Sequence, residues 1–175
     1  MANTDYFAIA DALYLTLAGT SNTTTDSAVV HVGGSPGLDY TVQDGPPAGE
    51  GYPENAVFLG WDGDPEGDYE AALMQQQWAG SIGANRRDET VEIPGSVIVH
   101  YGDADRWKPA RDRTLLIHTD IETKLRATPD LGLGVNGVRQ FIVAAFKPTA
   151  AYQEPAGDSG YWFRTVFAVS VNTRI

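Results

Sequence analysis

Cysteine is missing from this 175-residue chain. No disulfide can staple it, and neither a thiolate metal site nor a cysteine nucleophile is available. That fits a reducing compartment, or assembly inside a cell. Basic residues are scarce: 12 Lys and Arg stand against 23 Asp and Glu, giving a net charge of −11. A reader of duplex DNA needs a positive footprint, so wrapping around a phosphate backbone is disfavoured. A surface past which DNA slides without sticking is allowed, because like charges repel. Long apolar runs are missing too; none approaches the roughly 20 residues of a membrane span. The opening Met1-Ala2-Asn3-Thr4-Asp5 lacks the basic and apolar regions of an export signal. The expectation is a protein that does not enter a membrane. Without export, the glycosylation-type triplet Asn22-Thr23-Thr24 has no consequence.

What is present is a globular composition, 42% hydrophobic and 20% charged, of a length that predicts one domain over residues 1–175. Ile9, Leu13 and Leu17 repeat every four residues and predict a helix over 5–17, with Thr4 as N-cap and Gly19 as stop. A β-branched run over 28–32 reads as a strand. The Gly/Pro-rich stretch 33–54 then reads as a long loop region, and such loops tend to be mobile or functional. Residues 55–61 form an apolar strand and 62–70 an acidic turn; 71–78 fits helix or strand. A strand over 87–101 is expected to break at Pro94-Gly95, at a bulge or an edge. The longest helix spans 108–127. Trp107, Ala110, Thr114, Ile117, Ile121 and Leu125 trace its apolar face, Pro109 suits its first turn and Pro129 ends it. Strands follow over 135–146 and 161–171, joined by a long connection, 147–160. The pattern predicts an α+β fold: one mainly antiparallel, mixed sheet of about five or six strands with two helices on a face.

Motifs that carry chemistry fail their context tests. Gly132-Leu133-Gly134-Val135-Asn136-Gly137 has dinucleotide-site spacing, but it follows a helix and opens a strand, the reverse of what a phosphate-binding turn needs. It reads as a glycine-rich turn. Asp62, Asp64 and Glu66 begin like a calcium loop with Gly67 at the sixth position. The twelfth position is Leu73 where a bidentate Glu belongs, and Pro65 interrupts the loop. His31, His100 and His118 form no metal spacing, and no G-x-S-x-G turn is present to hold a nucleophile. No catalytic, metal or cofactor residue is assigned, and the expectation is that the chain is not an enzyme. Trp107 reads as core. Trp61, Trp162, Arg164 and Arg174 read as contacts for a neighbouring subunit, because Trp and Arg dominate interface hot spots.

Several stretches together resemble the tail terminator proteins of long-tailed bacteriophages. They are Val57-Phe58-Leu59-Gly60, the run from Arg86 to Pro94, Leu125-Arg126-Ala127-Thr128-Pro129-Asp130-Leu131-Gly132, and the closing Val169 to Ile175. The resemblance covers most of the chain. It departs at 33–54 and 147–160. It implies a non-enzymatic structural protein of the virion, assembled in the host cytoplasm, that forms a homo-oligomeric ring, typically a hexamer. Such a ring caps the tail tube, ends its polymerisation, and joins the tail to the head connector or stopper protein, with DNA passing through the lumen without specific binding. No cofactor is implied. A rival reading is another neck or connector protein of the same particle. A rival of a different class is a small hydrolase or ligand-binding domain with a dispersed site.

Overall fold

A computed structural model describes residues 6–19, 27–32, 38–47, 53–64, 66, 71–78, 87–102, 107–134, 140–155 and 160–174. The elements follow in the order α1 (Tyr6–Ala18), β1 (Ser27–His31), β2 (Asp39–Asp44), β3 (Asn55–Leu59), β4 (Leu73–Trp78), β5 (Arg87–Tyr101), α2 (Lys108–Ala127), β6 (Gln140–Pro155) and β7 (Tyr161–Arg174). The strands make one seven-stranded sheet in the order β1-β2-β3-β5-β7-β6, with β4 pairing β5 off that path. Only β2 and β3 pair in parallel. The α+β fold is the expected one, with more strands than expected.

Alternation sorts the two faces of the sheet. On β5, Val91, Ile93, Val97 and Val99 are buried, as are Phe163, Phe167, Val169 and Val171 on β7. These meet the buried face of α2, formed by Ala110, Thr114, Ile117, Ile121 and Leu125. Ile9, Leu13 and Leu17 of α1 complete the same core. Ala56, Phe58, Trp61 and Ile98 lie on the reverse face and form a second, small cluster with Trp162 against it.

Helix ends follow local chemistry. Gly19, at φ +65°, donates its N–H to Leu15 O at 2.9 Å and stops α1, a conformation that suits glycine. The Thr4 cap lies outside the described residues. Pro109 sits in the first turn of α2, and Lys124 and Arg126 in its last turn favour the helix dipole. Lys124 also clamps the layers together. Its Nζ donates to Leu17 O at 2.7 Å and lies 3.0 Å from Asp120, which accepts from the Tyr40 hydroxyl at 2.6 Å. Burial first, then the bond to Asp120, pushes the Tyr40 phenol far above its ordinary value.

Four sequence-based expectations need correction. Trp107 is not core. It sits at the N-cap of α2, 46% exposed, stacked on Tyr161 with ring centroids 5.1 Å apart. The stretch 33–54 is not one loop: β2 lies inside it, buries Tyr40 and Val42, and is held between β1 and β3. The connection 147–160 is also mostly strand, because β6 runs to Pro155 and pairs with β7 along its length. Finally, β5 does not break at Pro94-Gly95. Its pairing with β7 runs through both residues, while its other edge changes partner there, from β4 up to Glu92 to β3 from Gly95. His100 N–H bonds to Glu54 O on the β3 side, so even-numbered residues of β5 face that way. The donor that Pro94 lacks therefore falls at the changeover, and Pro94 O still accepts from Gly60 N–H at 2.8 Å.

Candidate functional site

Four side chains singled out from sequence lie on the reverse face or at its end, but the structure gives them different roles. Trp61 is 2% exposed, meets Phe58 edge-on at 5.0 Å, and donates Nε1–H to Asp64 O at 3.2 Å. In the single chain it offers no surface to a neighbour. Trp162 is half-buried and lies 4.5 Å from His100, ring to ring. Arg164 is a strap, its side chain only 13% exposed. Nη1 donates to Asp62 O at 3.4 Å, Nη2 lies 3.5 Å from Glu154, and the guanidinium sits 4.3 Å above the Tyr152 ring. It ties the acidic turn to β6. Replacing Arg164 with Ala is expected to raise hydrogen exchange in residues 62–64 and 150–155 while leaving α2 protected. An unchanged exchange pattern would mean that the strap holds nothing.

Arg174 stands apart at the far end of the sheet. It grips Asp88 in a two-pronged pair, at 2.7 Å from Nε and 3.3 Å from Nη2. The Arg174 hydrogen bond holds the Asp88 carboxyl below its usual value. The ladder continues through Thr90–Asn172 at 3.0 Å and Ser170–Glu92 at 3.0 Å, with Lys147 at 3.3 Å from Glu92. A shallow groove of about 310 Å³ runs between Asp88, Thr90, Ile142, Asn172 and Arg174.

In the described part of the acidic turn, Asp62 and Asp64 spend their carboxylates on backbone. Asp62 Oδ1 accepts from Asp64 N–H at 2.9 Å, and Asp64 Oδ1 from Glu66 N–H at 3.0 Å, as turn residues do. Among the described residues, no group of three or more His, Asp or Glu is disposed to hold a metal ion. The glycine-rich stretch after α2 is a turn: Leu131, Gly132 and Gly134 have positive φ, and Gly132 N–H bonds to Asp130 Oδ1 at 3.0 Å. Val135, Asn136 and Gly137 lie outside the described residues.

The three histidines find separate partners: Asp39 for His31, Trp162 for His100, and Thr165 for His118. His118 carries a pH response. Its Nε2 is hydrogen-bonded to Thr165 Oγ1 at 2.6 Å, its ring lies against Phe146 and Phe167, and its Nδ1 is buried without a partner. Burial pushes its pKa below the ordinary 6.5. The fold thus accepts the neutral ring, and the unfolded chain binds the proton more readily. The contribution is complete above the ordinary value and is lost as pH falls towards the lowered one. The expected result is a Tm that drops as pH falls below about 6.5, with a shallower drop in His118→Gln. Equal slopes for the two proteins would remove His118 as the source.

Sequence reasoning missed the open edges of the sheet: the outer edges of β1 and β6, besides β4, which pairs only with β5. Strands β1 and β6 are the terminal strands of the sheet, and no described strand covers the outer edge of either. Val29 and Tyr152, on those strands, are 60% and 44% exposed. A signal was available: no acidic residue falls between Asp26 and Asp39 or between Asp130 and Glu154. Among the described residues, no helix is long and apolar enough to cross a membrane. No family model matches the chain, and no curated protein matches it.

Proposed function

We propose that the chain is the subunit of a ring in a phage virion that caps the tail tube, ends its polymerisation and joins the tail to the head connector. The observation that carries this reading is the open sheet: no described strand covers the outer edges of β1 and β6, and β1 and residues 140–153 of β6 carry no carboxylate in a chain of net charge −11. Chains so charged repel one another at long range and associate where acids are missing. Two different edges on one subunit give a head-to-tail contact, which closes into a ring when the rotation allows. A negatively charged ring also suits a channel through which DNA passes, because the wall does not hold the phosphate backbone. The sequence resemblance supplies the partners, tail tube and head connector, and the typical hexamer. No catalytic step, cofactor or metal enters this role.

Negative-stain microscopy of the purified protein, alone and mixed with tail tubes, tests the proposal. Rings of identical subunits with a central hole, seated on tube ends, are the expected images. A monomer at every concentration that also leaves tube ends bare would reject it.

A further inference from the structure

The strand registers can be followed across the sheet from one edge to the other. Val29 of β1 is level with Thr41, Ala56, Ile98 and Arg164, and finally with Tyr152 of β6. One residue earlier, Ala28 leads through Val42, Val57, Val97 and Thr165 to Ala151. Because β2 and β3 are parallel and the other steps antiparallel, β1 and β6 run in the same direction. The five residues of β1 thus lie at the height of residues 150–154.

That part of β6 is also its free part. Nearer the start, Val143 N–H is bonded to Pro129 O at 2.7 Å, and register shifts fall at Val143/Ala145 and Pro148/Ala150. Lys147, Pro148 and Pro155 are residues that blunt an edge, and they bracket the segment. Between them, β6 presents a short regular edge matched in length to β1. Val29 and Tyr152 share one face of the sheet, and His31 is level with Glu154, a residue of opposite sign when the imidazole is protonated.

From this match we propose that β1 of one copy pairs in parallel with residues 150–154 of β6 in the next copy, with Val29 lying against Tyr152. The inference rests on the ring reading for the identity of its occupant, a second copy of this chain. Charge supports that choice, since Glu154 is the one acidic residue on the two edges and it lies level with His31. The two edges differ, so the contact is head-to-tail and every copy donates one edge and receives on the other. Continuing the sheet in this way keeps the helices of all copies on the same side. Main-chain hydrogen bonds supply attraction, and the exposed pair of side chains fixes the register.

The absence of native cysteine gives a clean test. Val29→Cys and Tyr152→Cys are prepared as separate proteins, checked by circular dichroism against the parent, mixed and mildly oxidised. The expected product is a disulfide-linked dimer from the mixture and none from either protein alone; Ala28→Cys with Ala151→Cys, in the same register, gives the same product. The slipped pair Val29→Cys with Glu154→Cys yields roughly tenfold less, given the narrow geometry of the bond. A dimer from either single variant alone means that like edges meet, and overturns the proposal. Rings in the microscope without mixed cross-links overturn this docking and leave the ring reading standing. Cross-linked chains that never close and never cap a tube uphold the docking and remove the ring reading. Absence of both association and cross-link removes both.

Discussion

Phe167→Ala is expected to destabilise the protein by about 3–5 kcal/mol, the range for removing a fully buried aromatic ring. Phe167 is 0% exposed and sits at the centre of β7, 5.2 Å from the Phe146 ring and 6.0 Å from His118. It also fills the space over Gly95, its register partner on β5. A Cβ built at Gly95 would lie 2.5 Å from Phe167 Cζ and 2.7 Å from Phe58 O, well inside contact distance. Gly95→Ala alone should therefore cost about 1–3 kcal/mol by overpacking. Combined with Phe167→Leu, it should cost less than the sum of the two single changes, because the ring that collides is gone. Denaturant melts of the three proteins measure this. Strict additivity would mean that the two positions do not share the space.

Ile121→Ala on α2 carries the second large effect, about 2–5 kcal/mol, with Leu125→Ala in the same range. Both are buried, and with Ala110, Thr114 and Ile117 they form the face that meets the sheet. The contrast lies on the other side of the helix: Leu115 and Leu116 are exposed, so their replacement by Ala should change stability by no more than about 0.5 kcal/mol. A loss at Leu115 equal to that at Ile121 would show that the helix is rotated.

This helix shows what the sequence makes legible. A twenty-residue amphipathic pattern has enough turns for its period to be unmistakable, and the buried face was read correctly except for Trp107. Trp107 failed because a stripe extrapolated beyond the first turn no longer faces the core; there the chain leaves the sheet, and the indole stacks on Tyr161 at the margin. Strand β7 was equally readable from its alternation of Phe163, Phe167, Val169 and Val171.

What escaped depends on pairing between distant segments. Residues 39–44 sit between glycine- and proline-rich stretches, and nothing local says that Tyr40 will be buried by α1 and α2 from far along the chain. Residues 147–155 contain Pro148 and Pro155, which argue against a strand; an edge strand with bulges tolerates them. Pro94 is tolerated inside a central strand only because β4 and β3 meet there, a fact no local window contains. Residue type placed Trp61 and Arg164 at an interface, yet hot-spot statistics say nothing about whether a side chain is already engaged within its own chain. Trp61 is packed under the reverse face, and Arg164 is committed to Asp62 and Glu154.

Growth of tail tubes in the presence of this protein decides whether it is a tube cap. Purified tube subunits are allowed to polymerise, the protein is added at a set time, and tube lengths are measured in the microscope. Elongation is expected to stop once the protein is added, with a ring at one end of each tube, and Val29→Lys or Tyr152→Lys protein is expected not to stop it. Tubes that continue to lengthen at an unchanged rate, with the folded parent protein in excess and no rings at their ends, would contradict the cap reading.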